Sequence, residues 1–203
     1  MVAAAQGHAR IVRLLLRHGA EINSRTDDGH TALMLASYAG KDAAVAALLA
    51  RAPLLDVQSS LGLTALMEAA GEGHVGVVRR LLAHRVPAPP SVDVKSGEGH
   101  TALAYACARG KAAIVRALLA RSPVDVNTQG GAGKHSPLML ACAQGHVGAV
   151  RALLEHHTPP DRELRGADGF TALEYATERG YFHIVRLLSR PVKQQPQQQP
   201  AQT

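Results

Sequence analysis

With 203 residues, 46% of them apolar but only 3% aromatic and none Trp, the chain can bury a core of Ala, Leu and Val, which favours small, closely packed helices over a ring-filled interior. A formal charge of +6 and a pI near 9.7 permit attraction to acidic partners but fall short of a dedicated nucleic-acid binder, and neither a signal-peptide pattern nor a run of eighteen apolar residues marks a secreted or membrane-spanning chain. Cys107 and Cys142, both in alanine-rich surroundings, fit a reducing compartment, cytoplasmic or nuclear.

In chain order, "AAAQGHARIVRLLLRHGAEIN" (3–23) reads as the end of one helix, a glycine stop at Gly7, a second helix and a turn-rich return. The same plan recurs in "GHTALMLASYAG" (29–40), "GLTALMEAAGEG" (62–73), "GHTALAYACARG" (99–110), "KHSPLMLACAQG" (134–145) and "GFTALEYATERG" (169–180). With Thr31, Thr64, Thr101, Ser136 and Thr171 as anchors, the spacings are 33, 37, 35 and 35 residues. Each anchor hydroxyl is placed to cap a helix, Pro137 sits where a first-turn proline is tolerated, and Thr171 with Glu174 has capping-box spacing. Nine residues after each anchor comes the glycine that ends a short helix in the left-handed conformation: Gly40, Gly73, Gly110, Gly145 and Gly180. Alanine recurs five residues after each anchor, at Ala36, Ala69, Ala106, Ala141 and Ala176, which lets neighbouring helices approach closely. Beyond each glycine an apolar block such as "VVRRLL" (77–82) or "IVRALL" (114–119) forms a second helix, and Leu81, Leu118, Leu153 and Leu187 are expected to plug the core between units.

Thr-Ala-Leu, Ala-Ala, Gly-His, the Val-Val-x-x-Leu-Leu block and "GAEIN" (19–23) or "VDVN" (124–127) together resemble the ankyrin repeat, over roughly residues 1–190. The resemblance implies an all-α solenoid of stacked helix-turn-helix units with projecting β-turn fingers: a partial first repeat at 1–26, then five repeats on the five anchors. It also implies a non-catalytic scaffold that binds a partner protein on its concave face. Carried over by register, the contact residues are the finger positions His30, Leu63, His100, His135 and Phe170, and the inner-helix positions Tyr38, Ala39, Glu72, Ala108, Arg109, Gln144, Glu178 and Arg179. Exposed Tyr38 and Phe170 are the expected anchors, because aromatic side chains dominate interface energetics. The chain departs from the family where Met34, Met67, Ala104, Met139 and Glu174 replace the usual His three residues after the anchor, which predicts a loss of local hydrogen bonding. The prolines of "HRVPAPPSVDVK" (84–95) are expected to hold the finger beyond them stiffly out of line.

Other chemistry fits poorly. "GGAGKHSP" (130–137) has the look of a phosphate loop, but the pattern requires Gly where Thr128 stands and a hydroxyl where His135 stands, so the glycines are read as widening a finger. His8, His74 and His146 each follow an inter-helix glycine and are spread by the repeat units about 10 Å or more apart, too far to share a zinc ion, and adjacent His156 and His157 are expected to diverge on a helix. Cys107 and Cys142 hold the same place in successive units and read as buried thiols rather than a disulfide. No nucleophile elbow or activated nucleophile is evident, so no cofactor, metal, small-molecule substrate or enzymatic activity is expected. Arg13, Arg79, Arg116, Arg151 and Arg186 fall on the outward face of the second helices, with Ala46 breaking the series. This gives the alternative of an adaptor for a polyanion or membrane surface, though nothing interleaves with the arginines to stack on bases. A further alternative is a regulatory segment of a larger enzyme. The chain is expected as a monomer or as part of a longer one. "MVAAAQG" reads as the tail of a unit whose finger and cap lie upstream, leaving Val2, Ala5, Ile11 and Leu15 on a bare stacking surface. The Gln/Pro-rich segment 191–203 is expected to be disordered.

Overall fold

The computed structural model describes residues 1–86, 88–121 and 123–189. Within them twelve helices alternate between two layers. The inner layer is α1 (Val2–Ala5), α3 (Ala32–Tyr38), α5 (Ala65–Glu72), α7 (Ala102–Ala108), α9 (Pro137–Ala143) and α11 (Ala172–Glu178). The outer layer is α2 (Ala9–Arg17), α4 (Asp42–Leu49), α6 (Val75–Ala83), α8 (Ala112–Leu119), α10 (Val147–Leu154) and α12 (Phe182–Leu188). Each inner helix packs on the next inner helix, each outer helix on the next outer one, and the two helices of a unit on each other. The tail expected at 191–203 lies outside the described residues.

Local chemistry sets the helix ends. All five anchor hydroxyls accept the backbone N–H three residues on at 3.3 Å, satisfying a donor that a helix start leaves orphaned. The bonding expected to vanish with the missing histidines is partly replaced: the sulfurs of Met34 and Met139 accept the N–H of Thr31 and Ser136 at 3.3 and 3.4 Å, and Glu174 accepts that of Thr171 at 2.6 Å. The five stop glycines all have positive φ, between 65° and 96°, where a Cβ would be strained.

The layers close around residues that recur by register. Ala36, Ala69, Ala106, Ala141 and Ala176 are 0% exposed, and Leu81, Leu118 and Leu153 at most 1%. In the last unit the equivalent residue is Leu188, buried with 6% exposure, whereas Leu187 is only partly buried against the core. The expectation for Leu187 is therefore off by one residue. Seventeen residues separate anchor from plug in the earlier units, and Thr171 plus seventeen is Leu188.

The fingers form a backbone ladder from unit to unit: Ser60 N–H donates to Asp28 O, Gly97 to Leu61 O, Gly131 to Glu98 O and Ala167 to Gly133 O, at 2.6–2.9 Å. Nearer the outer layer, Asn23, Asp56, Asp93 and Asn127 each accept the N–H of Leu54, Ser91, Asp125 and Asp161 respectively, one unit on. The proline-bearing linker does not push the next finger out of line. The finger closed by Ser96 and His100 bonds to the fingers on both sides, and the extra residues are absorbed where Ala88 and Pro89 line a cleft with Pro53–Val57. At the start of the chain Val2, Ile11 and Leu15 are exposed and Ala5 half-buried.

Candidate protein-binding face

The finger residues and the inner helices meet along one face. His30 lies 3.4 Å from Glu68 on the next unit, and His135 Nε2 lies 2.9 Å from the hydroxyl of Tyr175, again one unit on. The ring of His100 meets Tyr105 edge-on at 5.9 Å, and Phe170 leans on Tyr175 at 5.6 Å. These contacts fall on Glu68, Tyr105 and Tyr175, each four residues after its anchor, in a floor position that sequence reasoning missed and that Leu35 and Leu140 hold in the other two units. The signal was available, because positions four and eight after the anchor share a helix face, and eight is the position of Ala39, Glu72, Arg109, Gln144 and Arg179.

The expected contact residues divide by what they touch. Tyr38 is 54% exposed, and Phe170 is 37% exposed with one side against Tyr175. Gln144, Glu178 and Arg179 are exposed, and Ala39 and Ala108 are half-buried. Glu72 and Arg109 pair across the unit boundary at 3.0 Å. His30, His100 and His135 are half-buried and held in the contacts above, whereas Leu63 turns partly inward and packs on the core. Leu61, at a fingertip and 68% exposed, was not anticipated.

Electrostatics follow from these neighbours. Burial pushes the Glu68 carboxyl up, with His30 opposing it. Burial of the His100 ring lowers its pKa against the pull of Glu98. The Tyr175 hydroxyl donates to Asp168, which holds that carboxyl below its usual range, while burial and this bond push the phenol up to about 12. The Thr171 backbone N–H holds Glu174 low.

The glycine-rich run belongs to a finger closed by the Gly130–His135 bridge, with Ser136 capping α9. A Cβ at Gly130 would stand 2.5 Å from Gly99 O and 2.7 Å from His100 Nδ1, and one at Gly133 would stand 2.4 Å from the His135 ring. The glycines thus make room for two histidine rings and a neighbouring backbone. His74 and His146 donate from Nε2 to the carbonyls of Tyr38 and Ala108, at 2.9 and 3.1 Å, tying units together. His156 and His157 do not diverge: α10 ends at Leu154, and beyond it their rings lie 4.0 Å apart. Among the described residues no three His, Cys, Asp or Glu side chains are grouped to hold a metal ion, and no helix is long and apolar enough to cross a membrane.

Residues 1–56, 52–130 and 120–199 match the family model described as "Ankyrin repeats (3 copies)". E3 ubiquitin-protein ligase XBAT33 of Arabidopsis thaliana is 42% identical over 87 residues, which are 42% of this chain and 17% of that protein. The probable E3 ubiquitin-protein ligase XBOS33 of Oryza sativa subsp. japonica is 46% identical over 89 residues, 43% of this chain and 17% of that one. The matched stretch therefore spans about a sixth of these curated relatives. Among solved structures, an ankyrin repeat domain from Acinetobacter baumannii AYE superposes with a TM-score of 0.80 at 28% identity, covering 92% of this chain and 94% of that one. The ankyrin repeat domain of Bcl-3, a member of the IkappaB protein family, superposes with a TM-score of 0.79 at 26% identity, covering 92% and 82%.

Proposed function

Because the chain belongs to the ankyrin repeat family, we propose that it is a non-catalytic interaction protein that grips a partner protein between its fingers and the inner helices. The observation that carries this reading is the exposure of Tyr38 and Phe170 on a face where several polar side chains are engaged in pairs: His30 with Glu68, Glu72 with Arg109, His135 with Tyr175. Such a face is pre-organised. A partner that buries the two rings orders few side chains on this side, so less of the binding free energy is lost to entropy.

The test is affinity capture with mass spectrometry, using the intact chain against Tyr38→Ala with Phe170→Ala. A partner enriched by the wild-type chain and lost from the double variant supports the reading, and an unchanged set of captured proteins contradicts it. The matches to plant ubiquitin ligases favour a second reading, in which the array is the recognition segment of a larger enzyme. An antibody to the array that detects a cellular protein near 21.3 kDa, the mass of this chain, and no larger one would exclude it.

A further inference from the structure

Charge divides by layer. The six inner helices carry Glu68, Glu72, Glu174 and Glu178 and neither Lys nor Arg; the six outer helices carry eight arginines and a single carboxylate, Asp42. Arg80 takes up that carboxylate, donating from Nε at 3.1 Å. Arg79, Arg116, Arg151 and Arg186 are exposed, and none pairs with a carboxylate among the described residues. Placement in a last helical turn, where the macrodipole favours a cation, accounts for Arg116, Arg151 and Arg186. It does not account for Arg79, because the basic residue in the last turn of its helix is Arg80.

The four arginines stand at one register position, fifteen residues after their anchors, on the neighbouring helices α6, α8, α10 and α12. One turn earlier on the first three of these helices are Gly76, Ala113 and Gly148, all exposed. A line of guanidinium groups therefore runs beside a line of positions with almost no side chain. Packed helices are about 8–10 Å apart, and an extended chain in the polyproline II conformation advances about 3.1 Å per residue with three residues per turn, so every third side chain faces the same way and three residues span one unit. Helices α6, α8 and α10 carry no aromatic side chain, and Phe182, exposed one turn before Arg186, stands alone on α12, so three of the four helices lack the stacking partners that single-stranded nucleic acid uses and the aromatic anchors of an interfacial helix.

We propose that Arg79, Arg116, Arg151 and Arg186, with the floor of Gly76, Ala113 and Gly148, form a docking track for an extended acidic segment of a protein, with carboxylates at every third residue. Each guanidinium presents a planar fork that matches a carboxylate in bidentate fashion, and the small floor residues let the backbone lie close enough for that match. This track is on the opposite side from the finger face and is independent of the function proposed for it.

The experiment is fluorescence anisotropy with the full chain and a labelled synthetic peptide carrying Glu at every third position with Ser and Gly between. Two comparison proteins are Arg79→Ala with Arg116→Ala and Arg151→Ala, and Ala113→Leu, which keeps every charge but fills the floor with a good helix former. The expected result is saturable binding at about 50 mM salt that weakens about tenfold or more in the triple arginine variant. Ala113→Leu should weaken it several-fold, and so should a peptide of the same composition with its Glu residues contiguous. Single Arg79→Gln and Arg116→Gln variants, each expected to weaken binding, cover the case in which the triple variant fails to fold. Equal affinity for the spaced and contiguous peptides, no effect of Ala113→Leu, or tighter binding of polyuridylate or phosphatidylserine vesicles than of the spaced peptide would overturn the proposal. So would no measurable binding of the spaced peptide.

Discussion

The Nε2 of His135 donates to the hydroxyl of Tyr175 across a unit boundary at 2.9 Å, and that hydroxyl donates in turn to Asp168 in its own finger. A finger is thereby tied to the inner helix of the following unit through a single phenol. With its pKa pushed up to about 12 by burial and by the Asp168 bond, Tyr175 should give a late step in an alkaline absorbance titration. Tyr175→Phe should remove the late step, and Asp168→Asn should move it toward the ordinary value of about 10. A titration of the wild-type chain with no step above that value that Tyr175→Phe removes would show the phenol to be free.

Packing makes the units cooperative. Leu118→Ala should cost about 2–5 kcal/mol, and Arg116→Ala, on the exposed side of the same helix, less than about 0.5 kcal/mol. In the last unit, Leu188→Ala should cost more than Leu187→Ala, because Leu188 is the residue turned into the core. Urea melts compare the four, and equal costs for Leu118 and Arg116 would contradict the layer assignment.

Cys107 and Cys142 are both buried and free, and burial raises both thiols, Cys142 up to about 12. Thiolate is the reactive form, so neither should react with a thiol reagent at pH 8 until the chain unfolds. Labelling followed by mass spectrometry should find no adduct in native buffer and two in denaturant; prompt native labelling would show the inner layer to be loosely packed.

Glu68 supplies a pH dependence. Its carboxyl pKa is raised in the fold, so the contribution it makes to stability is present below the ordinary carboxylate range and lost as pH rises through the folded value. Glu68→Gln removes the cost of a half-buried charge. The variant should be the more stable protein at pH 8, and its advantage should shrink on acidification toward pH 4. Chemical melts across that range check this, and an advantage that grows on acidification would reverse the assignment.

How much was legible depended on whether a requirement was local. Thr31, Gly40 and Ala36 announce themselves because a cap, a left-handed residue and a close helix contact each admit few side chains. Leu187 was taken for Leu188 because two adjacent leucines give periodicity nothing to choose between. The floor was missed because Leu35, Glu68, Tyr105, Leu140 and Tyr175 share a place but no chemistry. The ladder from Ser60 to Asp28 and from Gly97 to Leu61 is made of backbone groups, which any sequence supplies, so the straight course of the finger after the proline linker had no side-chain signature.

The central claim is that the finger and inner-helix face, through Tyr38 and Phe170, holds the partner. Isothermal titration of the captured partner into three proteins tests it most directly: the wild-type chain, Tyr38→Ala with Phe170→Ala, and Arg79→Glu with Arg116→Glu and Arg151→Glu. The account predicts that the aromatic double variant loses at least about 2 kcal/mol of binding free energy while the arginine variant binds within a few-fold of wild type at ordinary salt. Full affinity in the aromatic variant, with loss confined to the arginine variant and steeply dependent on salt, would contradict it.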